Sequence, residues 1–196
     1  MTIRIETHPL PPFLPNHAKL LMLGSFPPQQ HRWKMQFYYP NYQNDMWKIF
    51  GLIFFKDAYY FLDVANKCFH EQKIRDFLTE IGIAIYDTAY QVIRLNNNAA
   101  DKFLQIYTPT DLNVLLAKIP QCQHIITTGD KATDTLLEAM PVGTIKPKIG
   151  EMSEAYFAQR ELKLYRLPSS SRAYPLALEK KAAAYAEVFH NIGLLK

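Results

Sequence analysis

Four apolar runs alternate along the chain with segments of helical spacing, and each run leads into a short polar or glycine-containing turn. The four runs are Leu20–Leu23, Ile83–Tyr86, His124–Ile126 and Leu162–Leu167. Runs of this length between helix-period segments are typical of buried parallel strands. The pattern therefore predicts an α/β fold with a three-layer α/β/α architecture and a central, mostly parallel four-stranded sheet.

The segments between these runs carry the apolar spacing and the end signals of amphipathic helices. The first helix is predicted to begin at Asn44 or Asp45 and to be interrupted at Gly51. Further helices are predicted at Lys73–Ile81, Asp111–Ile119, Lys131–Met140, Met152–Gln159 and Pro175–Ile192. Residues 1–17 contain four prolines and are predicted to form an N-terminal arm on a single domain of residues 1–196.

Composition narrows the class of protein only modestly. Hydrophobic residues make up 48% of the 196 residues and charged residues 20%, as in ordinary globular proteins. No apolar run approaches the roughly 18 to 20 residues that a membrane span requires, so no membrane contact is expected. Cys68 and Cys122 lack metal-type or redox-type spacing, which favours a cytoplasmic location. The net charge of +4 permits contact with a polyanion.

Loops that follow parallel strands open on one edge of a sheet, where ligand sites form in such folds. The first loop begins with Gly24, which lets the backbone approach a ligand closely, and continues with Ser25 and Phe26. The last loop suits phosphate groups through its hydroxyls, its amides and one cationic side chain. Its residues are Ser169, Ser170, Ser171 and Arg172. A serine-rich turn before a helix is the alternative interpretation of this loop.

The segment 37–47 is unusually rich in aromatic and amide side chains. Aromatic rings stack on nucleobases, and the candidates for such stacking are Phe26, Phe37, Tyr38 and Tyr39. Asn44 could orient a water molecule or cap the following helix, and Asp45 could act as a general base; the local pattern leaves both open. Asp87, at the end of the second strand, could accept a hydrogen bond from a base N–H or cap a turn.

Four short motifs occur in an order that is found in one enzyme superfamily. They are Gly-Ser-Phe-Pro-Pro at 24–28, Phe-Tyr-Tyr-Pro-Asn-Tyr-Gln-Asn-Asp-Met-Trp at 37–47, Gly-Ile-Ala-Ile-Tyr-Asp at 82–87 and Leu-Pro-Ser-Ser-Ser at 167–171. This ordered set resembles the uracil-DNA glycosylase superfamily, and within it the branch that includes hypoxanthine-DNA glycosylases. The resemblance extends from Leu20 to about Tyr185.

The resemblance implies a role for several of these residues. It implies that Asn44 occupies the position of a catalytic asparagine, that Asp87 reads the base, and that residues 167–172 enter the minor groove of DNA. Many members of the superfamily carry Asp or Asn where this chain has Phe26, and several carry histidine where it has Leu167. The hypoxanthine branch is similar to this chain in lacking the first acidic or amide residue and in using the downstream asparagine instead.

The expected function is that of a monofunctional DNA glycosylase, which hydrolyses the N-glycosidic bond of a flipped uracil, hypoxanthine or mismatched base. Such a reaction needs a positioned water molecule and hydrogen bonds to the departing base, so neither a cofactor nor a metal is expected. The expected partner is DNA containing a damaged or mismatched base, and the protein is expected to act as a monomer. Two alternatives stay open: a non-catalytic damaged-DNA or nucleotide-binding module on the same fold, and a hydrolase of free nucleosides.

Overall fold

The computed structural model describes residues 4–95 and 103–195. Within these ranges the strands are β1 (Ile5–Thr7), β2 (Leu20–Gly24), β3 (Leu62–Asp63), β4 (Cys68–Phe69), β5 (Ile83–Asp87), β6 (Ala89–Arg94), β7 (Leu104–Pro109), β8 (His124–Thr128), β9 (Met152–Phe157) and β10 (Arg160–Leu167). The α-helices are α1 (Met46–Phe55), α2 (Glu71–Ile81), α3 (Leu112–Lys118), α4 (Asp130–Ala139) and α5 (Leu178–Ile192). A turn of 3₁₀ helix covers Gln30–Arg32.

The central sheet has five strands in the order β5–β2–β8–β10–β9. The first four run parallel to one another and contain the four predicted strands. Helices flank the sheet, with α2 packed on β5, α4 on β8 and α5 on β10. The predicted α/β fold with a central, mostly parallel sheet is therefore confirmed.

The fifth strand, β9, is an antiparallel edge strand that pairs with β10. The prediction of a helix over Met152–Gln159 is wrong. Residues of β9 alternate between exposed and half-buried, which is the period-two pattern of a strand with one face toward solvent. Ala158 and Gln159 then adopt positive φ angles of 51° and 59°, which turn the chain into β10 as a hairpin.

A second, antiparallel sheet was not predicted; its strand order is β1–β6–β7, and it continues from the end of β5. Its first strand, β1, belongs to the N-terminal arm and pairs with β6. Further along the arm, Phe13 forms a bridge with Ile85 of β5. A salt bridge of 3.1 Å between Arg94 and Glu6 also joins β6 to β1. The arm is thus held against the strand that ends at Asp87.

Helix α1 runs unbroken through Gly51, so the predicted interruption there is wrong. Gly51 is required by packing, because a Cβ at this position would collide with the backbone carbonyl oxygen of Asp57. The helix ends instead at Lys56, which adopts a left-handed conformation with φ of 56°. Its buried face packs against α5. None of the described helices is long and apolar enough to cross a membrane.

Candidate active site

A cavity of about 550 Å³ opens at the carboxyl edge of the parallel strands. Its volume falls within the roughly 300 to 1,000 Å³ that is usual for small-molecule sites. Ten of the residues proposed from the sequence line it: Gly24, Ser25, Phe26, Tyr38, Tyr39, Asn44, Asp87, Ser169, Ser170 and Ser171. The fold therefore brings together segments that lie up to about 150 residues apart in the chain.

Asn44 lines the cavity and lies directly before Asp45, the N-cap residue of α1. Its side-chain oxygen Oδ1 accepts a hydrogen bond of 2.9 Å from the backbone N–H of Met46. Its own backbone N–H donates to the carbonyl oxygen of Asn41 at 2.8 Å. The bond to Met46 holds the carboxamide at the cavity wall. Of the two residues that the sequence offered as the cap of α1, Asp45 is the N-cap, and Asn44 contacts the first turn from the position before it.

Asp45 is absent from the residues that line the cavity, and its carboxylate is bound elsewhere. Its Oδ2 accepts a hydrogen bond of 2.9 Å from Nζ of Lys181, a fully buried lysine on α5. The same ammonium donates to the carbonyl oxygen of Ser171 at 2.8 Å. The backbone N–H of Asp45 donates to the carbonyl oxygen of Ser170 at 3.0 Å. Of the two candidates for positioning water, only Asn44 is therefore in contact with the cavity.

We call residues 168–173 the serine loop. Within it, Oγ of Ser169 accepts from the N–H of Ser171 at 3.1 Å, and Oγ of Ser171 accepts from the N–H of Ala173 at 3.2 Å. The phenol of Tyr185 donates to the carbonyl oxygen of Pro168 at 2.9 Å from the buried side. These bonds give the loop a defined shape next to the cavity. Arg172 is exposed on this loop and does not line the cavity.

Asp87 lines the cavity and has a buried partner that the sequence did not reveal. Nε2 of His8 lies 2.8 Å from Oδ2 of Asp87, and the side chains of the two residues are 0% and 9% exposed. His31, by contrast, lies on the exposed 3₁₀ turn and does not line the cavity. The backbone carbonyl of Asp87 also accepts from the hydroxyl of Thr110 at 2.7 Å. His8 was missed because only the folding of the arm onto β5 and β6 brings it near the site.

Gly24 leaves room for two polar groups to converge. A Cβ at this position would lie 2.5 Å from Oδ1 of Asp87 and 3.3 Å from the hydroxyl of Tyr39. That hydroxyl is 2.9 Å from Oγ1 of Thr128, at the end of β8. The sequence suggested that Gly24 lets the backbone approach a ligand closely. In the structure, the groups that approach Gly24 closely are the protein's own polar side chains at the wall of the cavity.

The aromatic candidates divide between the cavity and the core. Phe26, Tyr38 and Tyr39 line the cavity. Phe37 does not: it is 1% exposed and stacks against Trp47 at a centroid distance of 6.1 Å. The suggestion that Phe37 stacks on a base is therefore wrong for this structure, because its ring is part of the core.

The phenol of Tyr38 is held as a neutral hydrogen-bond donor. It donates to the carbonyl oxygen of Pro11 at 2.7 Å, which ties the arm to the wall of the cavity. Burial, and after it the negative charge of Asp87, raises the pKa of Tyr38. The same two causes raise the pKa of Tyr86 to about 12. Both phenols therefore stay protonated across the physiological pH range.

Nine further residues line the cavity without having been singled out as site residues, among them Arg32, Thr128 and Tyr174. Tyr174 follows the serine loop directly, and Arg32 supplies a positive charge at the cavity. Among the described residues, no group of three or more His, Cys, Asp or Glu side chains is arranged to hold a metal ion.

The fold and the cavity define an α/β protein with a ligand-sized site at the carboxyl edge of its parallel sheet. The solution NMR structure of a protein from Methanosarcina acetivorans, described as "a putative Uracil DNA glycosylase", has the same fold, with a TM-score of 0.63. The two chains are 22% identical, and the match covers 97% of this chain and 99% of the other. No protein-family model matches this sequence, and no curated protein matches it. The similarity establishes the shared fold.

Proposed function

We propose that this chain is a monofunctional DNA glycosylase that hydrolyses the N-glycosidic bond of a flipped uracil or hypoxanthine. One observation carries the proposal: a single cavity is lined by Asn44, by Asp87 and by the serine loop. The shared fold supports it, because the Methanosarcina acetivorans protein is described as "a putative Uracil DNA glycosylase". The motifs that resemble the hypoxanthine branch favour a purine or pyrimidine produced by deamination.

In the proposed reaction an everted base enters the cavity between the rings of Phe26, Tyr38 and Tyr39. Breaking the glycosidic bond develops positive charge on the sugar and negative charge on the departing base. The carboxamide of Asn44, held by its bond to the N–H of Met46, directs a water molecule at C1′. Because water is the nucleophile, the products are the free base and an abasic site.

The serine loop is proposed to hold the strand on either side of the everted nucleotide. Extruding a base from a duplex costs a few kcal/mol, which contacts to the flanking phosphates must offset. The loop has a fixed shape because Ser169 and Ser171 bond to its own backbone, so it can meet the strand without first becoming ordered. Arg172 on the loop and Arg32 at the cavity add positive charge for the phosphates.

The proposal is tested with a panel of duplexes, each containing one uracil or one hypoxanthine, followed by alkali to cleave abasic sites. Wild-type protein is expected to yield cleaved strand from at least one of them. Asn44→Ala is expected to lower the rate by about 100-fold or more, the usual contribution of a group that activates water. Asn113→Ala, at an exposed position on α3, is the matched control and should keep the wild-type rate. No cleavage by wild type on any duplex, or full cleavage by Asn44→Ala, contradicts the proposal.

A second candidate is a non-catalytic module that binds damaged DNA on the same fold. It is favoured by two residues that cannot take part in catalysis. Phe26 stands where many members of the superfamily carry Asp or Asn, and Leu167, fully buried at the end of β10, stands where several carry histidine. A binder of this kind would retard lesion-containing duplexes in a gel without producing strand breaks after alkali. The same panel therefore separates the two candidates. In either case the protein is proposed to act as a monomer.

A further inference from the structure

We propose that His8 of the N-terminal arm is a positioning residue that holds Asp87 in one orientation, so that the site accepts a base with an N–H on its hydrogen-bonding edge. This inference rests on the proposed function, because it assigns the chemical class of base that the same cavity takes. Its evidence is the geometry of His8, Asp87 and Gly24.

The two oxygens of the Asp87 carboxylate have different surroundings. Oδ2 lies 2.8 Å from Nε2 of His8. Oδ1 lies on the side of Gly24, where a Cβ would be only 2.5 Å from it. Gly24 and Asp87 both line the cavity, and Oδ1, the oxygen that does not bond to His8, is the one next to Gly24. By binding Oδ2, His8 therefore determines that Oδ1 is the oxygen available to a base in the cavity.

The backbone of Leu10 allows His8 to donate its Nε2 proton. The N–H of Leu10 lies 3.2 Å from Nδ1 of His8, so it satisfies Nδ1 when that nitrogen carries no proton. The carbonyl oxygen of Leu10 lies 2.9 Å from the same nitrogen, so it satisfies Nδ1 when that nitrogen is protonated. In the first arrangement the neutral ring carries its proton on Nε2, which donates to Asp87; in the second, Nε2 donates to Asp87 when the ring is the imidazolium, which carries a proton on both nitrogens. An ionised carboxylate so held only accepts hydrogen bonds.

Aromatic packing keeps the imidazole from turning away. The ring of His8 lies 4.5 Å from that of Tyr86, 5.3 Å from that of Phe26 and 6.1 Å from that of Tyr38, measured between centroids. Phe26 and Tyr38 line the cavity themselves. The imidazole is thus fully buried next to residues of the cavity wall, with its Nε2 directed at the carboxylate of Asp87.

A carboxylate that only accepts hydrogen bonds distinguishes deaminated bases from their parents. Uracil carries N3–H where cytosine has an unprotonated ring nitrogen, and hypoxanthine carries N1–H where adenine has one. An N–H can donate to Oδ1 of Asp87, whereas a ring nitrogen with a lone pair would face it without a proton between them. Sites built to form a buried hydrogen bond reject analogues that cannot form it, because their polar groups are left unpaired.

The test compares variants by the binding of free bases, which does not require turnover. Binding of uracil, cytosine, hypoxanthine and adenine is measured by NMR titration. Wild type is expected to prefer the deaminated base of at least one pair. His8→Leu, which removes the donor, should reduce that preference by about 10- to 100-fold, the range for a hydrogen bond to a charged group. His8→Gln, which keeps an N–H donor, should restore most of it. His17→Leu, a second histidine of the arm on an exposed position, is the control.

Equal preference in wild type and His8→Leu, or equal losses in His8→Leu and His8→Gln, overturns the inference and leaves His8 with a packing role. If His8→Leu does not fold, Asp87→Asn decides. Its amide oxygen would take the Nε2 proton and its NH₂ would face Gly24, so an unchanged preference for the N–H base overturns the inference. The two proposals can also fail separately. If the preference for the N–H base depends on His8 but the wild-type protein releases no base from DNA, the inference is supported and the proposed glycosylase activity is refuted.

Discussion

Replacing Lys181 with methionine removes a side chain that joins the start of α1 to the serine loop. The ammonium of Lys181 is fully buried and bonds to Oδ2 of Asp45 at 2.9 Å and to the carbonyl oxygen of Ser171 at 2.8 Å. Methionine keeps most of the apolar stem and removes the charge. It leaves the carboxylate of Asp45, whose side chain is only 13% exposed, without its cationic partner.

The size of the effect follows from this geometry. Removing one partner of a buried ion pair costs about 3 to 5 kcal/mol, because the other charge stays buried and unpaired. Since the carboxylate of Asp45 keeps some contact with water, we expect a value near the lower end, about 3 kcal/mol. Lys180→Met is the matched control: Lys180 is the preceding residue on α5 and is exposed, so its replacement should change the free energy of unfolding by less than about 0.5 kcal/mol.

The assay is urea unfolding at neutral pH, with the free energy of unfolding extrapolated to water. A second pair of variants, Asp45→Ala and Asp45→Ala with Lys181→Met, completes a double-mutant cycle. We expect a coupling energy of about 1 to 3 kcal/mol between residues in direct contact. If Lys181→Met and Lys180→Met have the same effect, or if the cycle shows no coupling, the ion pair does not hold the loop to the helix and the reasoning is refuted.

Three other substitutions test separate parts of the structure. Gly24→Ala would place a Cβ 2.5 Å from Oδ1 of Asp87 and displace a carboxylate that is buried against His8. Base release from lesion-containing duplexes should fall by about 100-fold, and the melting temperature should fall as well; an unchanged rate would refute the close approach. Gly51→Ala would force a Cβ against a backbone carbonyl and should lower the free energy of urea unfolding by about 1 to 3 kcal/mol; a neutral effect would contradict this packing. Burial, and then the charge of Lys163, lowers the pKa of His124 below 6.5, so the unfolded chain binds a proton there that the folded chain does not. Stability should therefore fall as the pH drops below 6.5 toward the lowered pKa, and His124→Gln should make unfolding curves at pH 7.5 and 5 more alike; an unchanged difference would refute it.

The central strands were predictable because they are buried on both faces. Strands β2 and β5 have no exposed residue, and such strands appear in sequence as unbroken apolar runs. Edge strands lack this signal. In β9 the polar residues Ser153 and Glu154 interrupt the apolar pattern, and the spacing of the segment also suits a short helix. The three-stranded sheet was missed for a related reason, since β1 has only three residues in a stretch otherwise dominated by prolines.

The candidate site could be predicted in its position more easily than in its details. Strand ends, one glycine, an aromatic segment and a serine loop were enough to locate it, because parallel strands bring their carboxyl ends to one edge. The sequence could not decide which neighbouring ring faces the cavity. Phe37 and Tyr38 are adjacent and equally apolar in pattern, yet Phe37 enters the core and Tyr38 lines the cavity. What separates them is tertiary packing, since Phe37 lies against Trp47 and Phe13 in the core.

The partners of the two acidic residues were beyond the reach of local sequence for a physical reason. Asp87 is paired with His8, 79 positions earlier, and Asp45 with Lys181, 136 positions later. Neither partner stands out in its own segment. A histidine or lysine that will be buried looks like any other in the sequence, and its carboxylate partner is brought to it only by folding. The structure therefore joins both ends of the chain to one cavity, with the arm fixing the carboxylate at the cavity and α5 fixing the helix that presents Asn44. Substitutions at His8 and at Lys181, neither of which lines the cavity, should consequently alter the site through the carboxylates that they bind.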